Sequence, residues 1–144
     1  MPSDLSLKMM NAVHRALLAV TGRRLGTSFG GAPALELVTT GRRSGEPRAV
    51  MLTAPLQIDD AYVVVASRGG DDTHPAWFLN LSADPRVEVA LPGGPRRRMT
   101  AEVVGPERRA ELWPRIVASA PQYARYQSRT TREIPVVLLR PDPA

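Results

Sequence analysis

Apolar positions recur along this chain with two different periods. Between residues 4 and 20, Leu5, Met9, Val13, Leu17 and Val20 fall near helical spacing, with Asp4, Lys8 and Arg15 elsewhere on the cylinder. That pattern predicts an amphipathic helix. From residue 35 onward the period shortens to that of strands. Stretches 35–40, 48–58 and 62–68 read as β, separated by turn-forming residues, with Asp59-Asp60 making the second hairpin. Asp72 or Thr73 can cap a helix that has Pro75 near its first turn, runs to about Ser82 and is stopped by Asp84-Pro85. Two more strands, 87–91 and 96–104, flank the turn Pro92-Gly93-Gly94-Pro95. A helix over 106–118 follows, in which Pro114 forces a kink or break, and the last strand is 134–140. Six strands, mostly in hairpins, with helices at the ends and between them, predict a mainly β fold with flanking helices, an antiparallel barrel. A barrel of this size is filled by its own side chains, so a ligand must sit on its outer surface or mouth.

Composition narrows the chemistry. At 144 residues, with 43% hydrophobic and 23% charged residues, the chain is expected to be one soluble domain with a proper core. There is no cysteine, which removes disulfides, thiolate metal sites and cysteine nucleophiles together. The two histidines, His14 and His74, have no carboxylate cluster near them, so no metal site is expected. The net charge is +5, and Lys8 is the one lysine among 19 basic residues. Arginine dominance favours bidentate binding of phosphate and carboxylate. A basic surface admits a polyanionic cofactor, an anionic membrane or nucleic acid. With 5% aromatics and no RNP-like motif, the stacking platforms for nucleic acid are missing. No stretch reads as a secretory signal or a bilayer span, so the cytoplasm is the expected location. The 4–20 helix has two readings: packed on the domain, or lying on an anionic membrane surface with Lys8, Arg15, Arg23 and Arg24 as its cationic partners.

Four segments carry most of the candidate chemistry. Arg42, Arg43, Ser44 and Arg48 gather on a turn flanked by glycines, a collection of guanidinium forks, a hydroxyl and N–H groups that suits a phosphate or carboxylate tail. The same residues would also make an ordinary solvated hairpin. Val65, Ala66, Ser67 and Arg68 end a strand, and Gly69-Gly70 either lets the backbone approach a flat ring or forms a plain tight turn. Trp77 and Leu81 lie four apart and read as a core stripe, with polar Asn80 between them. Tyr123-x-x-Tyr126 puts two phenols near one face of a helical turn, close to Ser128. No residue reads as a nucleophile.

The segments TTGRRSGEPR, VASRGG and HPAWFLNLSADPRVEV, followed by YARYQSRTTREIPVVLL, occur in this order. Over roughly residues 10–141 the chain resembles the deazaflavin-dependent nitroreductase and F420H2-dependent quinone reductase family. The resemblance implies a split β-barrel of the FMN-binding-like type and an oxidoreductase that passes a hydride from reduced coenzyme F420 to a quinone or similar conjugated or nitroaromatic acceptor. It implies a tail site at Arg42, Arg43, Ser44 and Arg48, with Arg68 reaching the same tail. The deazaflavin ring would lie on Val65, Ala66, Ser67 and Arg68, with Ala76, Trp77, Phe78, Leu79, Asn80 and Tyr123 completing the cofactor shell. Tyr126, Tyr123, Ser67 and Ser128 are the candidates for catalysis at the acceptor. Ala120 departs from relatives active on nitroimidazoles, which can carry a tyrosine there, and this points to quinones first. FMN or haem on the same barrel, or a non-catalytic carrier of F420, are the alternatives. The expected partner is a small quinone-like acceptor, with peripheral contact to an anionic membrane, no nucleic acid, and a monomer or weak oligomer.

Overall fold

The structure, a computed structural model, describes residues 28–29 and 32–142. The predicted helix over 4–20 lies outside the described residues. Eight strands form one antiparallel sheet: β1 (Ser28–Phe29), β2 (Ala32–Thr40), β3 (Pro47–Thr53), β4 (Leu56–Ile58), β5 (Ala61–Val65), β6 (Arg86–Ala90), β7 (Arg97–Val103) and β8 (Val136–Pro141). Among the described residues three α-helices accompany them, α1 (Ala76–Ala83), α2 (Pro106–Ser119) and α3 (Gln122–Ser128), with a 3-10 turn at Arg68–Gly70.

The longer strands run in the order β3-β2-β6-β7-β8-β5-β4. Strands β3 and β4 occupy opposite edges yet are joined by Ala54-Pro55 alone. Two residues cannot reach across a flat sheet of seven strands about 4.8 Å apart. The sheet therefore curls until its edges meet at that link, and the result is a split barrel. This also corrects the expected single strand over 48–58. Proline cannot donate to a ladder, so at Pro55 the chain leaves its pairing with β2 and, from Leu56, pairs with β5.

Register explains the two most apolar strands. On β5 and β8, Val64, Val137 and Leu139 point into the barrel with Leu35, Leu37, Val87, Val89 and Met99. Val63, Val65, Val136 and Leu138 point outward, where they pack against Leu112 and Ile116 of α2 and Tyr123 of α3. Strands buried on both faces read as continuous apolar runs rather than as alternation. Strand β7, with its outer face exposed, alternates: Met99 and Ala101 are buried while Arg98, Thr100 and Glu102 are exposed.

Several boundaries differ from the sequence reading. Strand β5 stops at Val65, where its ladder with Val136 ends, and Arg68 turns to φ 47°. Neither Asp72 nor Thr73 caps α1; Pro75 is its N-cap residue in extended conformation, and Asp71 instead accepts from Thr73 N–H. Pro114 does not break α2, which runs unbroken to Ser119. Pro114 and Ala110, whose carbonyl loses its helix donor, are both exposed, so water can serve that carbonyl. The Asp59-Asp60 hairpin forms as expected, closing at the Ile58–Ala61 pair with Asp59 at φ 54°. Gln127 ties the helices to β8: its Oε1 accepts from Arg109 Nη2 (3.0 Å) and Ile134 N (2.9 Å), and its Nε2 donates to the Arg132 carbonyl (2.8 Å).

Candidate active site

The cationic turn is the β2–β3 connection. The last ladder pair is Thr40 with Pro47, and the loop is closed by Gly41 N to the Glu46 carbonyl and Gly45 N to the Gly41 carbonyl, each 2.8 Å. Ser44 Oγ accepts from Glu46 N–H at 3.1 Å and lies 3.5 Å from Arg48 Nη2. Arg42, Arg43, Ser44 and Arg48 are all exposed. Arg43 has no hydrogen bond or ion pair among the described residues. Three guanidinium groups on one exposed loop form a local positive field that an anionic chain can satisfy.

Asn80 belongs to this turn as a fastener. Its Oδ1 accepts from both Arg42 N (3.2 Å) and Arg42 Nη1 (3.1 Å), and its Nδ2 donates to Thr39 Oγ1 (3.1 Å). Asn80 and Thr39 are buried, so these bonds offset the cost of taking an amide and a hydroxyl out of water. Helix α1 is thereby bolted to the end of β2. On the same helix Trp77 and Leu81 are core residues of the barrel. Trp77, expected in the cofactor shell, is 8% exposed and packs in the barrel core. Ala76 is exposed, and Phe78 and Leu79 are half-buried.

At the end of β5, Val65 faces α2 and α3, and Ala66 faces the barrel interior, so their side chains are committed to the two cores. Arg68, with φ 47°, turns its guanidinium to Asp71 (3.5 Å) and to the Thr73 hydroxyl. Gly70 sits at φ 86°, and a Cβ there would come within 2.7 Å of the Tyr126 carbonyl. Its missing side chain admits helix α3 onto the strand end.

Ser67 stands apart. Of the buried polar side chains, Thr39, Asp71 and Asn80 all have partners, while the Ser67 hydroxyl, 9% exposed as a residue, has none among the described residues. A buried hydroxyl without a partner costs free energy, on the order of 1–3 kcal/mol, so a water or a ligand group is needed to complete it.

Helix α3 covers this end of the barrel. Tyr123 is buried in the outer core, its hydroxyl 3.3 Å from Thr53 Oγ1 and its ring edge-on to Tyr126 with centroids 5.8 Å apart. Burial pushes the Tyr123 phenol up from its ordinary value, so it stays protonated. Tyr126 is half-buried, and its hydroxyl has no partner among the described residues. Ser128 donates to the Arg125 carbonyl (2.7 Å), an exposed bond within its own helix turn. Ala120 lies in the outer core with Tyr123.

The sequence reading missed Arg132. Its guanidinium donates to the carbonyls of Asp71 (2.8 Å), Ser67 (2.9 Å) and Ala66 (3.3 Å), and contacts His74 Nδ1 at 3.0 Å. Burial followed by the Arg132 charge lowers the His74 pKa from its ordinary value. Arginine in a run TTREIP gives no periodicity or motif signal; only the fold brings it to the strand end.

A cleft of about 480 Å³ lies on the other side of the β2–β3 turn, lined by Thr39, Pro47, Asp84, Arg86, Arg98 and Asp142. Within it Arg86 pairs with Asp84 at 3.0 Å and Asp142 accepts from the Thr100 hydroxyl. The turn, the strand end and α3 are the better candidates on chemical grounds.

The exposed cationic turn, the buried Ser67 hydroxyl and the Tyr126 phenol thus all lie on one split barrel. The sequence profile of a family described as F420H(2)-dependent quinone reductase matches residues 9–141. An F420H(2)-dependent quinone reductase of Mycobacterium tuberculosis (strain ATCC 25618 / H37Rv) is 43% identical over 132 residues, 88% of this chain and 87% of that one. A solved F420-H2 dependent reductase is 37% identical, with a TM-score of 0.66 over 75% of this chain and 94% of that one. A solved domain-swapped dimer is 31% identical, with a TM-score of 0.66 over 91% and 98%. A haem-binding protein of Mycobacterium smegmatis, 18% identical with a TM-score of 0.59, shares the fold alone. The chain belongs to the F420H(2)-dependent quinone reductase family. It is an oxidoreductase whose cofactor is coenzyme F420.

Proposed function

We propose that this enzyme binds reduced F420 along α1, tail on the β2–β3 turn and ring at the end of β5, and that a quinone accepts the hydride beneath α3. The observation that carries the reading is that one helix serves both half-sites. Helix α1 is eight residues, about 12 Å long. His74, just before it, is tied to the strand end through Arg132, while Asn80 near its C-terminal end holds Arg42. That span suits a ligand with a flat ring at one end and an anionic tail at the other. The residues present fit the group: the Ser67 hydroxyl is unsatisfied, and Arg43 is an unpaired cation among the described residues.

In this reading Arg42, Arg43, Ser44 and Arg48 hold the phosphate and glutamyl carboxylates through charge-assisted hydrogen bonds. Ser67 donates to a polar edge of the ring. When bound, the coenzyme supplies the hydride, so no protein nucleophile is required. The protein holds the acceptor in contact with the ring and excludes water, and the Tyr126 phenol or a water donates the proton to the reduced acceptor oxygen. Tyr123 supports Tyr126 by edge-on packing and keeps its own hydroxyl on Thr53. Quinones come before nitroaromatics as acceptors because Ala120 offers no phenol on the approach to α3. No helix among the described residues is long and apolar enough to cross a membrane, and peripheral contact through residues 4–20 stays part of the proposal because a lipid-dissolved quinone would be met there.

The test is fluorescence titration of the purified protein with F420, followed by absorbance-monitored oxidation of F420H2 with and without a soluble quinone such as menadione. Saturable binding and quinone-dependent oxidation are expected. Binding with no turnover on any quinone would leave a carrier, and selective binding of FMN or haem would overturn the cofactor assignment at this site.

A further inference from the structure

The ladder that shapes β5 ends at Val65, and the chain beyond it traces a loop with Arg68 and Gly69 at φ 47° and 65°. Two residues in the left-handed region do not hold themselves in place. Arg129 Nη1 donates to the Gly69 carbonyl and Asp71 N to that of Arg68, and Arg132 spans the loop from both sides of them. Its planar fork reaches the carbonyls of Ala66, Ser67 and Asp71 and the His74 ring at once. Two consequences follow from elementary chemistry. Guanidinium can only donate, so His74 Nδ1 must accept, and the neutral ring then carries its proton on Nε2. No peptide bond among the described residues is cis, and in a planar trans peptide the C=O and N–H point in opposite directions. With the Ala66 carbonyl on Arg132, the Ser67 N–H is turned away from the guanidinium. Arg132 itself is kept in place by its own carbonyl on Gln127 Nε2 (2.8 Å), and burial lowers its pKa while Asp71 and Asp72 support its charge.

We propose that Arg132 is a positioning residue for the hydride-transfer site: it fixes the Ser67 peptide, whose N–H is turned away from the guanidinium, and the Nε2–H form of His74, as preformed donors beside the Ser67 hydroxyl for the electron-rich edge of the coenzyme ring. The proposal rests on the reading that the ring lies at the end of β5. It extends that reading to Arg132 and His74, to which the sequence reading gave no role at the coenzyme. A lysine in place of Arg132 keeps the charge but has one nitrogen, which cannot span three carbonyls and a ring.

The experiment has two independent arms. In the first, nitrogen-15 shifts of His74 are measured in the wild-type protein without coenzyme at neutral pH. A single Nε2–H form is expected in the wild type and a mixture in Arg132→Gln; an Nδ1–H form or a free mixture in the wild type would overturn the proposal, whether or not any variant folds. In the second, F420 titrations are run on Arg132→Lys, Ser67→Ala and the double variant, with thermal melts alongside. Arg132→Lys should weaken F420 by about tenfold and raise its KM while the quinone KM stays near the wild-type value, and removing Ser67 should cost less in the Arg132→Lys background than alone. A folded Arg132→Lys that binds F420 like the wild type, or effects that simply add, would sink it. Wild-type protein that binds no F420 would overturn the site reading and, with it, the ring-facing role; the His74 measurement would still report whether Arg132 sets the tautomer.

Discussion

Arg42 and Arg43 are neighbours in the chain with different duties. Arg42 is fastened by Asn80 through backbone and side chain, whereas Arg43 is exposed and has no partner among the described residues. Removing Arg43 should therefore leave the fold untouched and act on the ligand alone. Arg43→Ala is expected to weaken F420 by roughly tenfold, the low end for a charge-assisted bond at an exposed site, with an unchanged melting temperature. The difference from wild type should shrink as salt rises. Equal affinity at low salt would take Arg43 out of the site. The two tyrosines make a similar contrast. Tyr126→Phe should lower kcat with a quinone while F420 affinity stays near normal. Tyr123→Phe should leave kcat near normal and cost about 1 kcal/mol of stability through the lost Thr53 bond. The reverse pattern would hand the acceptor to Tyr123.

Helix α3 meets the strand end through a glycine. At Gly70 any L-residue faces both a φ of 86° and a Cβ 2.7 Å from the Tyr126 carbonyl. Gly70→Ala should therefore lower the melting temperature by several degrees, with a cost of about 2 kcal/mol or more from the left-handed backbone and the displaced helix. Because the displaced element carries Tyr126, quinone turnover should fall further than F420 binding does. A neutral melt would mean that α3 is free to move off the barrel. Helix α2 behaves as ordinary core. Ile116 and Leu112 are fully buried against the outer faces of β5 and β8, and Ile116→Ala should cost about 2–5 kcal/mol by denaturant unfolding.

Across the whole molecule, the burial of His74 beside Arg132 links stability to pH. Its folded pKa lies below the ordinary 6.5, so the unfolded chain takes up a proton first as pH falls. The stabilisation is complete above about 6.5 and is lost as pH drops through the folded value. Melting temperature should decline as pH falls below about 6.5, and His74→Gln should flatten that decline. An unchanged slope in His74→Gln would separate His74 from the effect.

How much of this was written in the sequence depends on range. Apolar alternation, the Asp59-Asp60 turn and the glycine-flanked arginines were legible because each is a local preference read over a few residues. So were the barrel class and the family, which four ordered motifs carried. The split of 48–58 at Pro55 was not, because whether a proline ends a strand or merely sits at its edge depends on which neighbour lies alongside. Asn80 read as a ligand contact, and the fold gives it to Arg42, 38 positions away. Gly69-Gly70 read as ring approach or tight turn, and at Gly70 a Cβ would meet the Tyr126 carbonyl of α3. Arg132 was silent because its acceptors are backbone carbonyls more than 60 positions upstream, and carbonyls are the same in every residue. Sequence alone determined which residues could carry charge, apolar bulk and turn geometry. Only the curling of the sheet decided which of them met, since hydrogen bonds and burial depend on distance in space, and closure at Pro55 sets those distances.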